Sequence, residues 1–337
     1  MTGRVLRLQF ALLAVATSAA SQQAEWKDPS PHAIRFVTVA DSVQLEVLDW
    51  GGSGPAVVLL AGLGDTGHAF DDFAPMLATR YRVVAVTRRG HGHSSAPGTG
   101  YGFARLAEDV VRVIEAIDVT KPVVIGHSFA GEELHLLGAR YSAKVAGLVY
   151  LDAAFNRGDP SAAYDSVART LPPGPRPAPA DLASFSALRE FLERTLGPAG
   201  PEAHLRARWV PNPDGTVAGP WAPALPVRQA LTGEMQAAYK AYDPEPIRVP
   251  ALAIYAVPKT AADLMRPWYD AGDPTVREGV QALFRLARER FGRHAKWFAA
   301  FAKDAQVTEI PGAHHLFISN RREVLDQIDA FMGSLPK

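Results

Sequence analysis

Short apolar runs recur along this chain, separated by stretches with helical spacing. Residues 57–61, 83–86, 123–126, 148–151 and 252–257 are continuous apolar runs of strand length, and 307–310 is a further strand-length stretch with apolar residues at its two ends. Strands buried on both faces of a parallel sheet have this pattern. Residues 34–40 and 43–49 instead alternate apolar and polar positions around Asp41-Ser42, which predicts two strands joined by a turn. Apolar positions three and four apart predict helices over 67–80, 103–118, 129–141, 275–303 and 321–333. Strand-helix alternation of this kind predicts an α/β fold: a mostly parallel central sheet flanked by helices. No stretch repeats another.

The rhythm breaks over residues 155–246. Proline and glycine crowd at 171–177, 197–201, 211–215 and 219–226, with helical pieces at 181–196 and 228–242 between them. A run without strands, set between two buried strands, predicts an inserted, mainly helical cap over the sheet's carboxyl edge. A separate domain fits less well, because strands resume in sequence afterwards. The expected organisation is a leader at 1–21, core at 22–154, cap at 155–246 and core again at 247–337. Tyr164, Phe185, Trp209, Trp221, Tyr239 and Tyr242 are the cap's large aromatics; packing within the cap is the ordinary fate of any one of them.

Composition narrows the function classes. At 337 residues and 47% hydrophobic, the chain can bury a full core. Its 35 basic and 35 acidic residues balance, without the basic excess of a nucleic-acid binder. The basic stretch at 285–296 lies on a predicted amphipathic helix and reads as its solvated face. There is no cysteine, which excludes disulfides, thiolate metal sites and a cysteine nucleophile. Arg4 and Arg7 precede an apolar run at 8–16, and small residues follow at 17–21. That order predicts a secretory signal peptide and an exported, periplasmic or secreted protein. The run is short for a spanning helix, so no stable membrane span is expected once the signal is removed.

The most informative string is Val123-Val124-Ile125-Gly126-His127-Ser128-Phe129-Ala130-Gly131. A buried strand runs into a serine flanked by small residues, and then into a helix. A sharp strand-to-helix turn lifts a nucleophilic hydroxyl clear of the sheet, and small residues two positions away relieve the crowding. The bland reading of Ser128 is a cap for the helix that follows. With this string the chain resembles the α/β-hydrolase superfamily, over nearly all of residues 34–333 except the cap. Leu59-Leu60-Ala61-Gly62-Leu63-Gly64 stands where that family places its oxyanion loop. By resemblance the backbone N–H groups of Leu63 and Phe129 form the oxyanion hole. Thr87-Arg88-Arg89-Gly90-His91-Gly92-His93-Ser94 resembles the family's D-x-R-G-x-G-x-S turn, with threonine for aspartate and a structural role. His91 and His93 lack a third ligand nearby and do not suggest a metal.

The resemblance also implies a histidine base after the last strand. In Gly312-Ala313-His314-His315 the family's G-x-x-H pattern selects His315, with His314 as the alternative one residue away. The acid departs from the usual pattern, because Lys259 occupies its expected position. Asp152, directly after the strand at 148–151, is the favoured acid, and Asp263 is the alternative. An acid at the end of the earlier strand resembles pancreatic-type lipases. Asp65, Asp71 and Asp72 read as helix-capping and solubilising acids, His68 as a surface residue, and Glu132 and Glu133 as ion-pairing or pocket-wall groups.

The resemblance thus implies a serine hydrolase that cleaves a small-molecule carboxylic ester through an acyl-enzyme, with no metal or organic cofactor. Ser128 in place of an aspartate argues against epoxide hydrolysis. The same residues suit an amidase or aminopeptidase. The latter needs acidic groups such as Glu190, Glu193, Glu202 and Glu234 to converge on the substrate's ammonium. A catalytically silent binding protein is the reading from another class. Oligomeric state is not legible.

Overall fold

The computed structural model describes residues 26–159, 162–241 and 243–336. The leader and Tyr242 lie outside these. Eight strands form one sheet: β1 (Ala33–Ala40), β2 (Val43–Gly51), β3 (Ala56–Leu60), β4 (Arg82–Val86), β5 (Val123–His127), β6 (Gly147–Leu151), β9 (Ala251–Ala256) and β10 (Ala305–Ile310). Their order is β1-β2-β4-β3-β5-β6-β9-β10. The β1–β2 and β2–β4 pairs are antiparallel and every other pair is parallel.

Period-two alternation splits each inner strand between two cores. Val58, Leu60, Val124, Leu148 and Tyr150 face one layer with Leu134, Leu137 and Phe298. Val57, Leu59, Ile125, Val149 and Leu151 face the other with Phe70, Phe73, Phe317 and Phe331. The first layer belongs to helices α2 (Phe103–Ala116), α3 (Ala130–Arg140) and α8 (Pro274–Phe301); the second to α1 (Ala74–Ala78), α9 (Leu316–Ser319) and α10 (Arg321–Ser334). Each fully buried Leu, Ile, Val or Phe contributes about 1.5–3 kcal/mol, which is why both faces of these strands are apolar. β10 departs from that pattern. It is the sheet's edge, only Ile310 of it is buried, and Val307 is 36% exposed.

Between β6 and β9 lie α4 (Ala162–Ala168), α5 (Phe185–Leu196), α6 (Glu202–Arg208) and α7 (Leu225–Lys240). The expectation of a strandless insertion is corrected here. β7 (Trp209–Pro211) and β8 (Val217–Pro220) pair as an antiparallel ribbon. Asn212 and Gly215 form its turn, with the Gly215 N–H donating to the Asn212 carbonyl. Strands this short, ending in proline, leave no periodicity to detect. Phe185, Leu188, Leu205 and Val217 make a small core here with Trp209 against it. Tyr239 of α7 meets Phe103 edge to face, the ring centroids lying 4.9 Å apart. Among the described residues, no helix is long and apolar enough to cross a membrane.

Candidate active site

β5 ends in a turn tight enough to hold Ser128 at φ 54°, in the left-handed region that costs an L-residue about 1–2 kcal/mol. The turn is pinned from both sides. Ser128 N–H donates to the Leu151 carbonyl at 3.2 Å, and Gly131 N–H donates to the Ser128 carbonyl at 3.1 Å. A Cβ on Gly126 would lie 2.9 Å from the Ala130 methyl, and one on Gly131 would lie 2.1 Å from the Ala153 carbonyl oxygen. The small residues around Ser128 therefore let α3 pass directly over β5 and the end of β6.

Three side chains form a continuous relay. Ser128 Oγ lies 2.8 Å from His314 Nε2, and His314 Nδ1 lies 2.5 Å from Asp152 Oδ2. Asp152 follows β6 with φ 45°. Its N–H donates to the Ile254 carbonyl at 2.7 Å, and its Oδ1 accepts from Ala256 N–H at 3.1 Å. The neighbouring strand β9 thus aims the carboxylate at the imidazole. Burial pulls the His314 pKa down, but the hydrogen bond and charge of Asp152, with the charge of Asp65, outweigh it and hold the ring above its ordinary value.

The expected choice of His315 is corrected by this geometry. The loop after β10 spends one residue fewer than G-x-x-H before it reaches Ser128, and His127 Nε2 holds it by the His314 carbonyl at 3.1 Å. His315 turns the other way, placing Nε2 3.2 Å from Asp65 Oδ2. Asp263 joins neither histidine. Its carboxylate accepts from Lys259 N–H at 2.7 Å and Thr260 N–H at 2.9 Å, closing the short turn at Ala261–Leu264.

Phe129 follows Ser128 at the start of α3, and Leu63, on the loop after β3, follows Gly62, whose backbone passes close to the Ser128 Cβ. Neither N–H donates to a main-chain carbonyl among the described residues. Arg88 braces that loop. Its guanidinium donates to the Ala61 carbonyl at 2.9 Å and the Gly62 carbonyl at 3.3 Å, pairs with buried Glu133, and covers the Phe129 ring at 4.8 Å. Glu132 pairs with Arg157. His91 is fixed in place as well: Gly64 N–H donates to its Nε2 at 3.2 Å, and Nδ1 lies 3.0 Å from the Arg89 carbonyl. Burial beside Arg88 pushes its pKa down to about 4, so it accepts as a neutral ring. His93 is exposed.

Two sequence readings change with Asp65 and Asp71, which are 4% and 5% exposed and do not solubilise a helix. An acid just before a helix looks like a cap in sequence whether it faces water or the interior. Asp65 meets Arg208 Nη1 at 3.4 Å and His204 Nε2 at 3.8 Å, both from α6, as well as His315. Burial opposes its ionisation, but the His315 hydrogen bond and the charges of His204 and Arg208 prevail and keep its pKa well below the carboxylate range. The insertion is thereby tied to the loop carrying Leu63. His68, expected at the surface, is buried. Asp72 is exposed and pairs with Arg321 at 2.7 Å.

A cavity of about 890 Å³ reaches the relay on its Asp152–His314 side. Phe155, Tyr164, Trp268 and Phe291 supply aromatic wall, and Arg266 and Arg290 supply positive charge. Neither arginine forms an ion pair with an acid among the described residues. None of Glu190, Glu193, Glu202 or Glu234 lines this cavity. Glu234 instead accepts the N–H groups of Gly100 and Tyr101, and Glu202 and Glu193 pair with Arg206 and Arg189.

A family model for the alpha/beta hydrolase fold matches residues 55–212. The chain is 34% identical over 158 residues to the magnesium-chelatase 30 kDa subunit of Rhodobacter capsulatus, covering 46% of this chain and 55% of that protein. It is 38% identical over 110 residues to a non-heme chloroperoxidase of Streptomyces lividans, covering 32% of this chain and 38% of that one. The matches thus span about half the length of these curated relatives or less. The crystal structure of E-2-(acetamidomethylene)succinate hydrolase superposes with a TM-score of 0.62, covering 90% of this chain and 100% of that one, at 20% identity. That likeness speaks to the fold.

Proposed function

This chain belongs to the α/β-hydrolase superfamily, and we propose that it is a serine hydrolase cleaving carboxylic esters through an acyl-enzyme. One observation carries the reading: the continuous relay from Ser128 through His314 to Asp152. His314 Nε2 takes the Ser128 proton as Oγ attacks the carbonyl carbon, and Asp152 holds the ring in its working tautomer and stabilises the imidazolium. The Leu63 and Phe129 N–H groups receive the oxyanion, each donor worth about 3–4 kcal/mol in the transition state. Collapse of the tetrahedral intermediate expels the alcohol, which takes the proton from His314. Water, activated by the same nitrogen, then releases the acid and restores Ser128.

A serine at the elbow supports acyl transfer over epoxide opening. Arg266 and Arg290, set among aromatic rings in the cavity, favour an ester that also carries a negative charge. The same wall disfavours the ammonium of an aminopeptidase substrate. The leader-like order of residues 1–21 supports placing the activity outside the cytoplasm. The test is fluorophosphonate labelling of the purified protein, with turnover of p-nitrophenyl butyrate and of the p-nitrophenyl monoester of glutaric acid. Labelling at Ser128 with ester turnover supports the reading. An unlabelled protein inert toward both esters would return it to the silent-fold alternative.

A further inference from the structure

We propose that Asp28, His32, His68 and Asp71 form a binding site for one divalent first-row transition metal, zinc fitting best, outside the catalytic relay. These four residues each present a ligand atom, all within 4.8 Å of one another. His68 Nδ1 lies 2.9 Å from Asp71 Oδ2 and 3.2 Å from Asp28 Oδ2. His32 Nδ1 lies 3.2 Å from Asp71 Oδ1, and its Nε2 lies 3.7 Å from Asp28 Oδ2. Four ligands at zinc's usual bond length, arranged tetrahedrally, stand about 3.3 Å apart. With His32 binding through Nδ1, the separations of 2.9, 3.2 and 3.2 Å lie close to that value.

A second observation points to a ligand. His32 Nδ1, Asp71 Oδ1 and Asp28 Oδ2 are buried and, among the described residues, meet no polar group outside this cluster, their nearest contacts within it being 3.2 Å, although the His32 and Asp71 side chains are only 3% exposed. Buried polar atoms are nearly always partnered. Glu46, fully buried with both carboxylate oxygens unpartnered, shares a cavity of about 320 Å³ with Asp28, His68 and Thr66. The cation on that cavity's wall, Arg206, is engaged by Glu202 at 2.8 Å. Three carboxylates therefore gather about two imidazoles with no guanidinium or ammonium paired to them among the described residues. A divalent cation neutralises such a cluster, and two imidazole and two carboxylate ligands suit zinc and its neighbours rather than calcium or magnesium. A metal here would clamp the arm entering β1 to the turn at Gly67–Phe70, a few residues beyond the loop carrying Leu63.

The test uses the full chain without a histidine tag, incubated with zinc sulfate, passed through gel filtration and assayed for bound metal by mass spectrometry. His32→Gln and Asp28→Asn are run in parallel, with circular dichroism to confirm folding. Asp28 is 22% exposed, so its variant keeps the test alive if His32→Gln does not fold. The expected result is one zinc per wild-type chain, a zinc-dependent rise of several degrees in Tm, and loss of both in each folded variant. A wild type that elutes without zinc would overturn the site, leaving the acids to protonated histidines. Zinc retained equally by both variants would also overturn it, as would zinc lost instead in His315→Gln, which would move the metal to the Asp65–His127–His315 group.

Discussion

His314 and His315 are adjacent in sequence yet answer to different carboxylates: His314 Nδ1 to Asp152 at 2.5 Å, and His315 Nε2 to Asp65 at 3.2 Å. One imidazole reaches Ser128 and the other reaches the loop after β3, so substitutions at the two positions have separable consequences. His314→Ala is expected to lower kcat for p-nitrophenyl butyrate by about 10³-fold or more. His315→Gln is expected to keep kcat within about tenfold while lowering Tm by a few degrees. Steady-state kinetics with thermal melts on both variants decide this. A collapse of kcat in His315→Gln alone would reverse the assignment.

The two candidate acids separate as cleanly. Asp152→Asn leaves a side chain of the same shape but favours the wrong histidine tautomer, and kcat should fall by about 10⁴-fold. Asp263→Asn should stay within about threefold, because its carboxylate serves only the turn at Lys259–Thr260. Equal losses in the two would refute the relay.

General-base catalysis needs His314 neutral. Its pKa is held above the ordinary histidine value by Asp152, against the pull of burial. kcat/KM should therefore rise with pH along a limb whose midpoint lies above about 6.5. In Asp152→Asn the supporting charge is gone, and the midpoint of the residual activity should move down. A wild-type midpoint well below the ordinary value would contradict the arrangement.

Much of this fold and site is legible in the sequence, and the features that are not share a cause. Inner strands such as β3 and β5 announce themselves because burial on both faces writes an unbroken apolar run. Ser128 stands out because its turn admits only small neighbours. The choice between His314 and His315 escaped because a loop's path, not its composition, decides which ring meets the serine. Asp65 escaped because an acid ahead of a helix looks the same whether it faces water or Arg208. Arg88 carried a signal, lying in the turn motif after β4, but its pairing with Glu133 under the oxyanion loop follows only from the packing of α3. Asp28 and His32 lie far in sequence from His68 and Asp71, and nothing local links the two pairs.

Removing the Asp65 charge tests how the insertion is attached. Asp65→Asn leaves Arg208, His204 and His315 around a neutral amide and should cost about 1–3 kcal/mol of stability near neutral pH, since Arg208 is partly exposed and can turn to water. The carboxylate's pKa is depressed in the folded state. Its contribution is therefore fully present above about pH 3.9 and is lost as pH falls below that value. Urea unfolding should show the gap between variant and wild type closing as the pH drops into that range. A gap that stays constant with pH would mean that the aspartate contributes shape rather than charge.

Gly131→Ala probes the elbow's packing. The added methyl would meet the Ala153 carbonyl at 2.1 Å, and a backbone atom at a strand end yields little. A loss of about 3 kcal/mol in chemical denaturation is expected, with reduced activity as α3 is pushed off β6.

With the acid carried at the end of β6, the segment that leaves β9 is relieved of chemistry. Pro258, Leu264, Arg266 and Trp268 line the cavity, and Asp263 is spent on closing a turn. Heredity can therefore rewrite that segment freely. A lineage could lengthen it, exchange its arginine or swap its aromatic and so acquire new substrates, while Ser128, His314 and Asp152 pass unchanged from parent to descendant.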